Sequence, residues 1–376
     1  MRYKHHFRLH ALFTLTTVQT PLSAQTNVFQ ISKKFDSTEG PGAVAFPGFH
    51  GGFRQQILIS SSRLVGLTGK TIRGIWVRRD LFHRERLTGG SIDIELRLSR
   101  ANTTPGGASP TFALNVPKTQ SVVFAGRIVI PTSPALGATV TPWSTPNSVK
   151  IMFGTAFRYQ GGDICMDVVA RPVAGSEPLF WFIDYERGSD TGKTRAFGTS
   201  CSDFADTAKH SLFANRGWLQ IGNTMRLMAL GRPGSTPLFL LGASEIRGGV
   251  DLSAMGATGC RQHIAYFLIT PLRYSNPTKA NRPASLYFEL QIPADINLLG
   301  RSVFTQFADD ELALSAPNRT NAAGLTTSNG LELIISSINP DLGMSTVTSE
   351  VVHAFTPMPS TGRVNVSMAP VLRLLY

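Results

Sequence analysis

Apolar and polar residues alternate with a period of two along much of this chain. The clearest tract is 91–98, with Ile92, Ile94, Leu96 and Leu98 on one side and Asp93, Glu95 and Arg97 on the other. Strand side chains point alternately to two faces, so this tract predicts a half-buried antiparallel strand. Runs at 54–59, 71–78, 121–130, 148–153, 162–169 and 179–185 predict further strands, separated by turn clusters such as Thr103-Thr104-Pro105-Gly106-Gly107. No window in this half keeps a helical period. A second series follows at 225–230, 237–242, 263–269, 285–292, 302–307 and 330–335. Between the two series, 188–193 is polar and turn-like, and 202–214 has a weak pattern for a short helix.

These runs predict an all-β chain of two β-sandwich domains, of jelly-roll or immunoglobulin-like type. The first is expected over 25–187 and the second over 218–337, with 188–217 as an inter-domain region. Past 337, the tracts 345–355 and 362–368 alternate around a turn at 357–362. They predict a C-terminal β-hairpin extension over 338–376, capping a sheet edge or offering that edge to a partner, including a second copy. The tail 368–376 is short, contains Pro370 and reads as a last strand rather than an anchor.

The N-terminus changes the setting of this fold. Arg2, Lys4 and Arg8 precede an apolar stretch at 9–18 that is too short to span a bilayer. Pro21-Leu22-Ser23-Ala24 then offers a small-residue cleavage site before Gln25. This pattern predicts a signal peptide at 1–24 and a protein that is secreted or held at the cell surface. No second apolar run reaches the ~18 residues that a membrane span requires. Cleavage removes three bases and no acid, so the formal charge falls from +12 to +9. It also removes His5, His6 and His10 from the eight histidines.

The remaining basic balance suggests anionic neighbours, such as an acidic polysaccharide or another envelope component. No motif for specific nucleic-acid binding accompanies it. Arg78, Arg79, Arg84 and Arg86 are the densest cluster. They read either as a solvated hairpin connection or as an anion-binding loop. Trp76 stands beside them, and Trp143 sits on a Pro-flanked loop, so each is a candidate aromatic platform. Trp181, within an apolar run, is expected in the core. The candidate ligand-binding set is therefore Trp76, Arg78, Arg79, Arg84, Arg86 and Trp143.

Three cysteines remain. Cys165 lies in an alternating run and reads as a small buried hydrophobe. Cys201 and Cys260 both follow Gly-containing turns, and export permits them to form a disulfide. Past the expected leader the chain lacks Cys-x-x-Cys and His-x-x-x-His spacings, so no metal site and no cofactor are expected. Signals for a hydrolase are weak. The histidines are scattered and no Gly-x-Ser-x-Gly elbow occurs. Asp309 and Asp310 read as solvated turn residues. Asp163 and Asp167 would share a strand face, where Ca²⁺ would need further oxygen ligands.

Several tracts resemble known modules. Leu-Leu-Gly-Ala-Ser at 240–244, Gly-Ala-Thr-Gly-Cys at 256–260, Leu-Gln-Ile-Pro-Ala-Asp at 290–295, Phe-Thr-Gln-Phe at 304–307 and Thr-Ser-Asn-Gly-Leu at 327–331 occur in sequence. Their succession resembles an uncharacterised C-terminal module of bacterial secreted proteins, which implies an immunoglobulin-like β-sandwich. The tracts 67–80, 112–115, 122–126 and 157–163 resemble a partner module often found ahead of it. That module usually has a small residue where Trp76 stands and Pro where Arg79 stands. Neither module has an established catalytic set, so the resemblance implies fold and location only. The sequence thus points to a non-enzymatic structural or adhesion-type surface protein. Its alternatives are a carbohydrate-binding module for an acidic glycan and a secreted hydrolase.

Mass spectrometry of the secreted protein is expected to find an N-terminus at Gln25 and one intact disulfide. A retained Met1 would remove the export reading.

Overall fold

The computed structural model describes residues 27–376, apart from 49–50, 138, 174, 176–180, 189, 202, 206–207, 210, 217–218, 275–283, 340–341 and 352–357. The leader expected at 1–24 and the boundary residue Trp218 lie outside the described residues. The fold is all-β, with antiparallel sheets and short 3₁₀ turns. Among the described residues no helix is long and apolar enough to cross a membrane.

The first sandwich uses β1 (Val28–Gln30), β2 (Gly42–Ala45), β3 (Gly52–Ile59), β4 (Thr71–Arg78), β5 (Gly90–Arg100), β6 (Ser121–Ile130), β7 (Ser148–Arg158), β8 (Ile164–Pro172) and β9 (Phe182–Arg187). The second uses β10 (Lys193–Phe197), β11 (Asp203–Ala205), β12 (Ala208–Lys209), β13 (Ser211–Arg216), β14 (Thr224–Gly231), β15 (Thr236–Asp251), β16 (Arg261–Pro271), β17 (Ala284–Gln291), β18 (Ser302–Asp310) and β19 (Leu325–Ile334). The chain then returns to the first with β20 (Met344–Val351), β21 (Arg363–Asn365), β22 (Met368–Pro370) and β23 (Leu372–Leu375).

One layer of the first sandwich is a six-stranded sheet in the order β21-β20-β3-β8-β5-β6. The other is the four-stranded sheet β1-β23-β4-β7, with a smaller sheet β2-β9-β22 beside it. Alternation explains the core between them. Ile92, Ile94, Leu96 and Leu98 of β5 meet Ile75 and Val77 of β4, Val149 and Ile151 of β7, and Leu372 and Leu374 of β23 in one buried cluster. On the outer face of β5, Asp93 is paired with Arg127 across the strands, which donates to it at 2.9 and 3.1 Å. Trp181 is fully buried, with its indole N–H donating to Ser133 Oγ at 3.1 Å.

The second sandwich packs the sheet β10-β19-β18-β15-β16 against β13-β14-β17, around Met225, Leu227, Phe239, Leu286, Phe307 and Leu331. Cys201 and Cys260 are bonded at 2.09 Å, pinning the chain ahead of β11 to the turn before β16. Cys165 is free and fully buried, as its strand position predicts.

Two tracts differ from their sequence pattern. The span 188–217 contains β10, β11, β12 and β13, of which β10 pairs with β19 and β13 with β14. No helix forms within the described part of 202–214. A strand pattern this polar reads as irregular because β10 is an edge strand with solvent on its side chains. The C-terminal extension also does more than form a hairpin. β20 and β21 do pair and extend the six-stranded sheet past β3. β22 then pairs with β9, and β23 inserts between β1 and β4. The segment 363–367 also ties the two sandwiches together. Val366 N–H donates to Asn223 Oδ1 at 2.5 Å, Asn223 Nδ2 donates to Ser367 Oγ at 2.9 Å, and Val364 N–H donates to Thr224 Oγ1 at 3.0 Å.

Leu374 is fully buried on the inserted strand. Leu374→Ala is expected to destabilise the protein by about 2–5 kcal/mol through lost transfer energy and the cavity left behind. The check is the urea midpoint. A change below about 0.5 kcal/mol, the level of an ordinary surface substitution, would mean that β23 is not an integral core strand.

Candidate functional site

On β4, Ile75 and Val77 face the core, which turns Trp76 and Arg78 to the opposite face. Strand register then fixes the neighbours of Trp76. Lys150 of β7 stands opposite on one side and Arg373 of β23 on the other. The Lys150 ammonium lies 3.9 Å from the Trp76 ring centroid, and the Arg373 guanidinium 4.9 Å. Trp143 packs edge-on against Trp76 with centroids 5.5 Å apart and planes at 70°. Arg373 also lies 4.1 Å from the Trp143 ring, and Arg78 5.0 Å from it. Three cations are thus interleaved with two indoles. Each such contact is worth ~0.5–2 kcal/mol, rising with desolvation.

This geometry differs from a sugar platform, for which two coplanar, open rings are needed. Trp76 is buried, Trp143 is half-buried, and cations already stand over both rings. A shallow cleft of about 470 Å³ runs beside them, bordered by Val129, Pro131, Thr145 and Lys150.

The four arginines do not form one patch. Arg78 and Arg79 are both fully buried. Arg78 donates from Nε and Nη2 to Asp184 Oδ2 at 2.8 and 2.6 Å, and it also donates to the carbonyls of Thr38 and Thr141. Arg79, the next residue along the strand, points the other way. Its guanidinium donates to the carbonyls of Pro134, His83 and Glu85 and so closes the loop after β4. Burial lowers the Arg79 pKa from its ordinary value, with Glu85 and Asp80 opposing. Arg84 and Arg86 are exposed on that loop. His83, also on the loop, stacks on Phe182 at 4.0 Å.

Sequence reasoning missed the acids around Arg78. Carboxylate oxygens of Glu39, Asp80 and Asp184 all lie within 4.8 Å of one another, and Asp80 and Asp184 are buried. Among the described residues this is the one carboxylate group close enough to hold a metal ion. Arg78 already pairs with Asp184 and, at 3.8 Å, with Glu39. Glu39 further accepts from Leu81 N–H and from Thr141 N–H, both at 2.9 Å. Burial raises the Asp80 pKa to about 7, against the Phe82 N–H bond and with Asp184 and Glu39 adding to it. Burial raises Asp184 to about 6 against its pairing with Arg78. Asp184 in the run 179–185 and Asp80 at the end of the tract 67–80 are visible in the sequence, but nothing there brings them together. Glu39 reaches it from a loop, and nothing in sequence marks that contact.

The other acids are occupied separately. Asp167 accepts from Arg54 at 2.7 Å and from Gln56 at 3.0 Å. Asp163 accepts from Ser61 N–H at 2.8 Å, so the two do not share a site. Asp309, expected in solvent, is fully buried and accepts from Arg232 N–H and the Tyr274 hydroxyl. It sits inside β18, which extends to Asp310, beyond the turn that its doublet suggests. His50, His210 and His353 lie outside the described residues.

A second, open cleft lies where the two layers of the first sandwich part, between the end of β5 and the β7–β8 turn. It measures about 660 Å³ and is bordered by Arg100, Asn102, Phe157, Arg158 and Gln160. Arg100 and Arg158 are exposed there and pair with no carboxylate among the described residues.

A carboxyl whose folded pKa is raised binds a proton that the unfolded chain has already released. Stability from Asp80 is therefore expected to fall as pH rises from about 4 through about 7, by ~1.4 kcal/mol per pH unit for one extra bound proton. Asp80→Asn should flatten this slope. Urea midpoints at pH 5 and pH 7.5 test it, and an unchanged slope in the variant would exclude Asp80 as the group responsible.

No protein-family model, no curated protein and no solved structure matches this chain.

Proposed function

We propose that this chain is a secreted structural or adhesion-type protein that acts through its surfaces and not through an active site. The observation that carries this reading is the edge strand β16. It closes one side of the five-stranded sheet and presents Tyr266, Phe267, Leu268 and Ile269 to solvent in one unbroken run. Unpaired strand edges recruit other chains, and contiguous apolar surface of this kind marks association sites. The chemistry-bearing groups support the same reading. The clustered acids Glu39, Asp80 and Asp184 are tied to Arg78 or to backbone N–H groups, and cations stand over the indoles Trp76 and Trp143. The all-β fold and the disulfide suit an exported protein.

A second reading, binding of an acidic glycan, is favoured by the cleft between Arg100 and Arg158. Two guanidiniums that pair with no carboxylate among the described residues flank an open groove of saccharide size. It replaces the set proposed from sequence, of which only Arg84 and Arg86 keep exposed charges and Trp76 and Trp143 offer no open ring pair.

Beads coated with the protein are expected to attach to a surface bearing the same protein, to a polyuronate surface, or to both. Phe267→Lys should reduce the first attachment at least tenfold. Arg100→Ala with Arg158→Ala should weaken the second at low salt, whereas Arg84→Ala with Arg86→Ala should not. Attachment to neither surface, relative to albumin-coated beads, would overturn the adhesion reading.

A further inference from the structure

We propose that β16 is the site at which two copies of this chain associate about a two-fold axis. The inference rests on the surface-association reading above and names its partner. Ten consecutive positions, 262–271, carry no Lys, Arg, Asp or Glu, and the only such residue on the strand is Arg261 at its start. The other edge strands of five or more residues carry charge, one of the devices by which soluble proteins block unwanted pairing: β6 has Arg127, β7 Lys150, β10 Arg195, β13 Arg216 and β17 Glu289, and the uncharged edges β1, β2 and β22 are only three or four residues long. An unguarded edge therefore stands out in a chain with a formal charge of +12.

The local geometry makes this edge a set of projecting side chains. Leu268 pairs with Leu241, but Tyr266 pairs with Gly242, so Phe267 is the extra residue of a β-bulge. Gly242 allows this close approach, since a Cβ there would stand 2.5 Å from the Ala265 carbonyl oxygen. The bulge turns Phe267 outward to 67% exposure, beside Tyr266 at 43%, Leu268 at 47% and Ile269 at 45%. It also limits any backbone ladder to short segments on either side, so the apolar side chains must supply most of the binding.

The area suits a second copy. At ~200 Å² for a large side chain, these four expose roughly 400 Å² per copy. A two-fold contact that covers both runs buries at most about twice that, roughly 800 Å², which places it among the small, weak and reversible interfaces. A two-fold contact also places uncharged surface against uncharged surface. Arg261 and Arg273 are left at its margins, in contact with solvent.

Sedimentation velocity of the secreted, disulfide-intact protein from 1 to 200 µM tests the proposal. The wild type is expected to form dimers within this range. Phe267→Lys should weaken dimerisation at least tenfold, while Thr194→Lys on the guarded edge β10 should leave it unchanged. Ile269→Lys, on the other side of the bulge, is the second variant, should Phe267→Lys lose its cooperative unfolding transition. A wild type that stays monomeric at 200 µM would overturn the proposal, as would a folded Phe267→Lys or Ile269→Lys that dimerises like wild type. A monomer whose coated beads still bind polyuronate would overturn the dimer and leave the adhesion reading standing.

Discussion

The first sandwich depends on a strand from the far end of the chain. β23 lies between β1 and β4, so the four-stranded layer is continuous only when residues 372–375 have returned from beyond the second sandwich. Without it β4 would show an unpaired edge, and the core would lose Leu372 and Leu374. β20 has the same role in the opposite layer, where it pairs with β3 along eight residues. The second sandwich is thus inserted between two parts of the first, and its folding is coupled to a long loop closure.

The same strand sets the electrostatics of the candidate site. Its register puts Arg373 beside Trp76, with Lys150 on the opposite strand and Trp143 above. Arg78, two residues along β4, is carried into a dry interior where an unpaired guanidinium would be prohibitive. Asp184, Glu39 and two carbonyls meet it there. Burial raises the pKa of the third acid, Asp80, to about 7, and the neighbouring Asp184 and Glu39 carboxylates add to that rise. Arg78, the start of the basic cluster in sequence, is therefore enclosed in an ionic cluster, while Arg84 and Arg86 stay exposed.

The second sandwich differs in how its edges are finished. β10 is short and charged, whereas β16 is long, apolar and bulged. Both belong to one sheet, so the contrast is not a property of the layer. Burial inside one chain accounts for the apolar residues of β15 and β18 but not for the run 266–269, which no described element covers.

Period-two alternation was enough to determine the all-β class and most strands of both sandwiches, because side-chain direction along a strand is a local property. Ile92, Ile94, Leu96 and Leu98 needed no tertiary information to be placed in a core, and neither did Trp181 or Cys165. The Cys201–Cys260 bond was legible because both cysteines stand at turns, where a bridge meets little steric resistance. Tertiary structure decided what local patterns cannot carry. Arg78 and Arg79 look alike in sequence, yet adjacent strand residues face opposite ways, and each entered a different polar cage. Asp184 joined Glu39 and Asp80 through chain crossings between residues more than a hundred positions apart. The destination of the last strands was likewise invisible, because alternation shows that a strand exists and says nothing of which edge will pair with it.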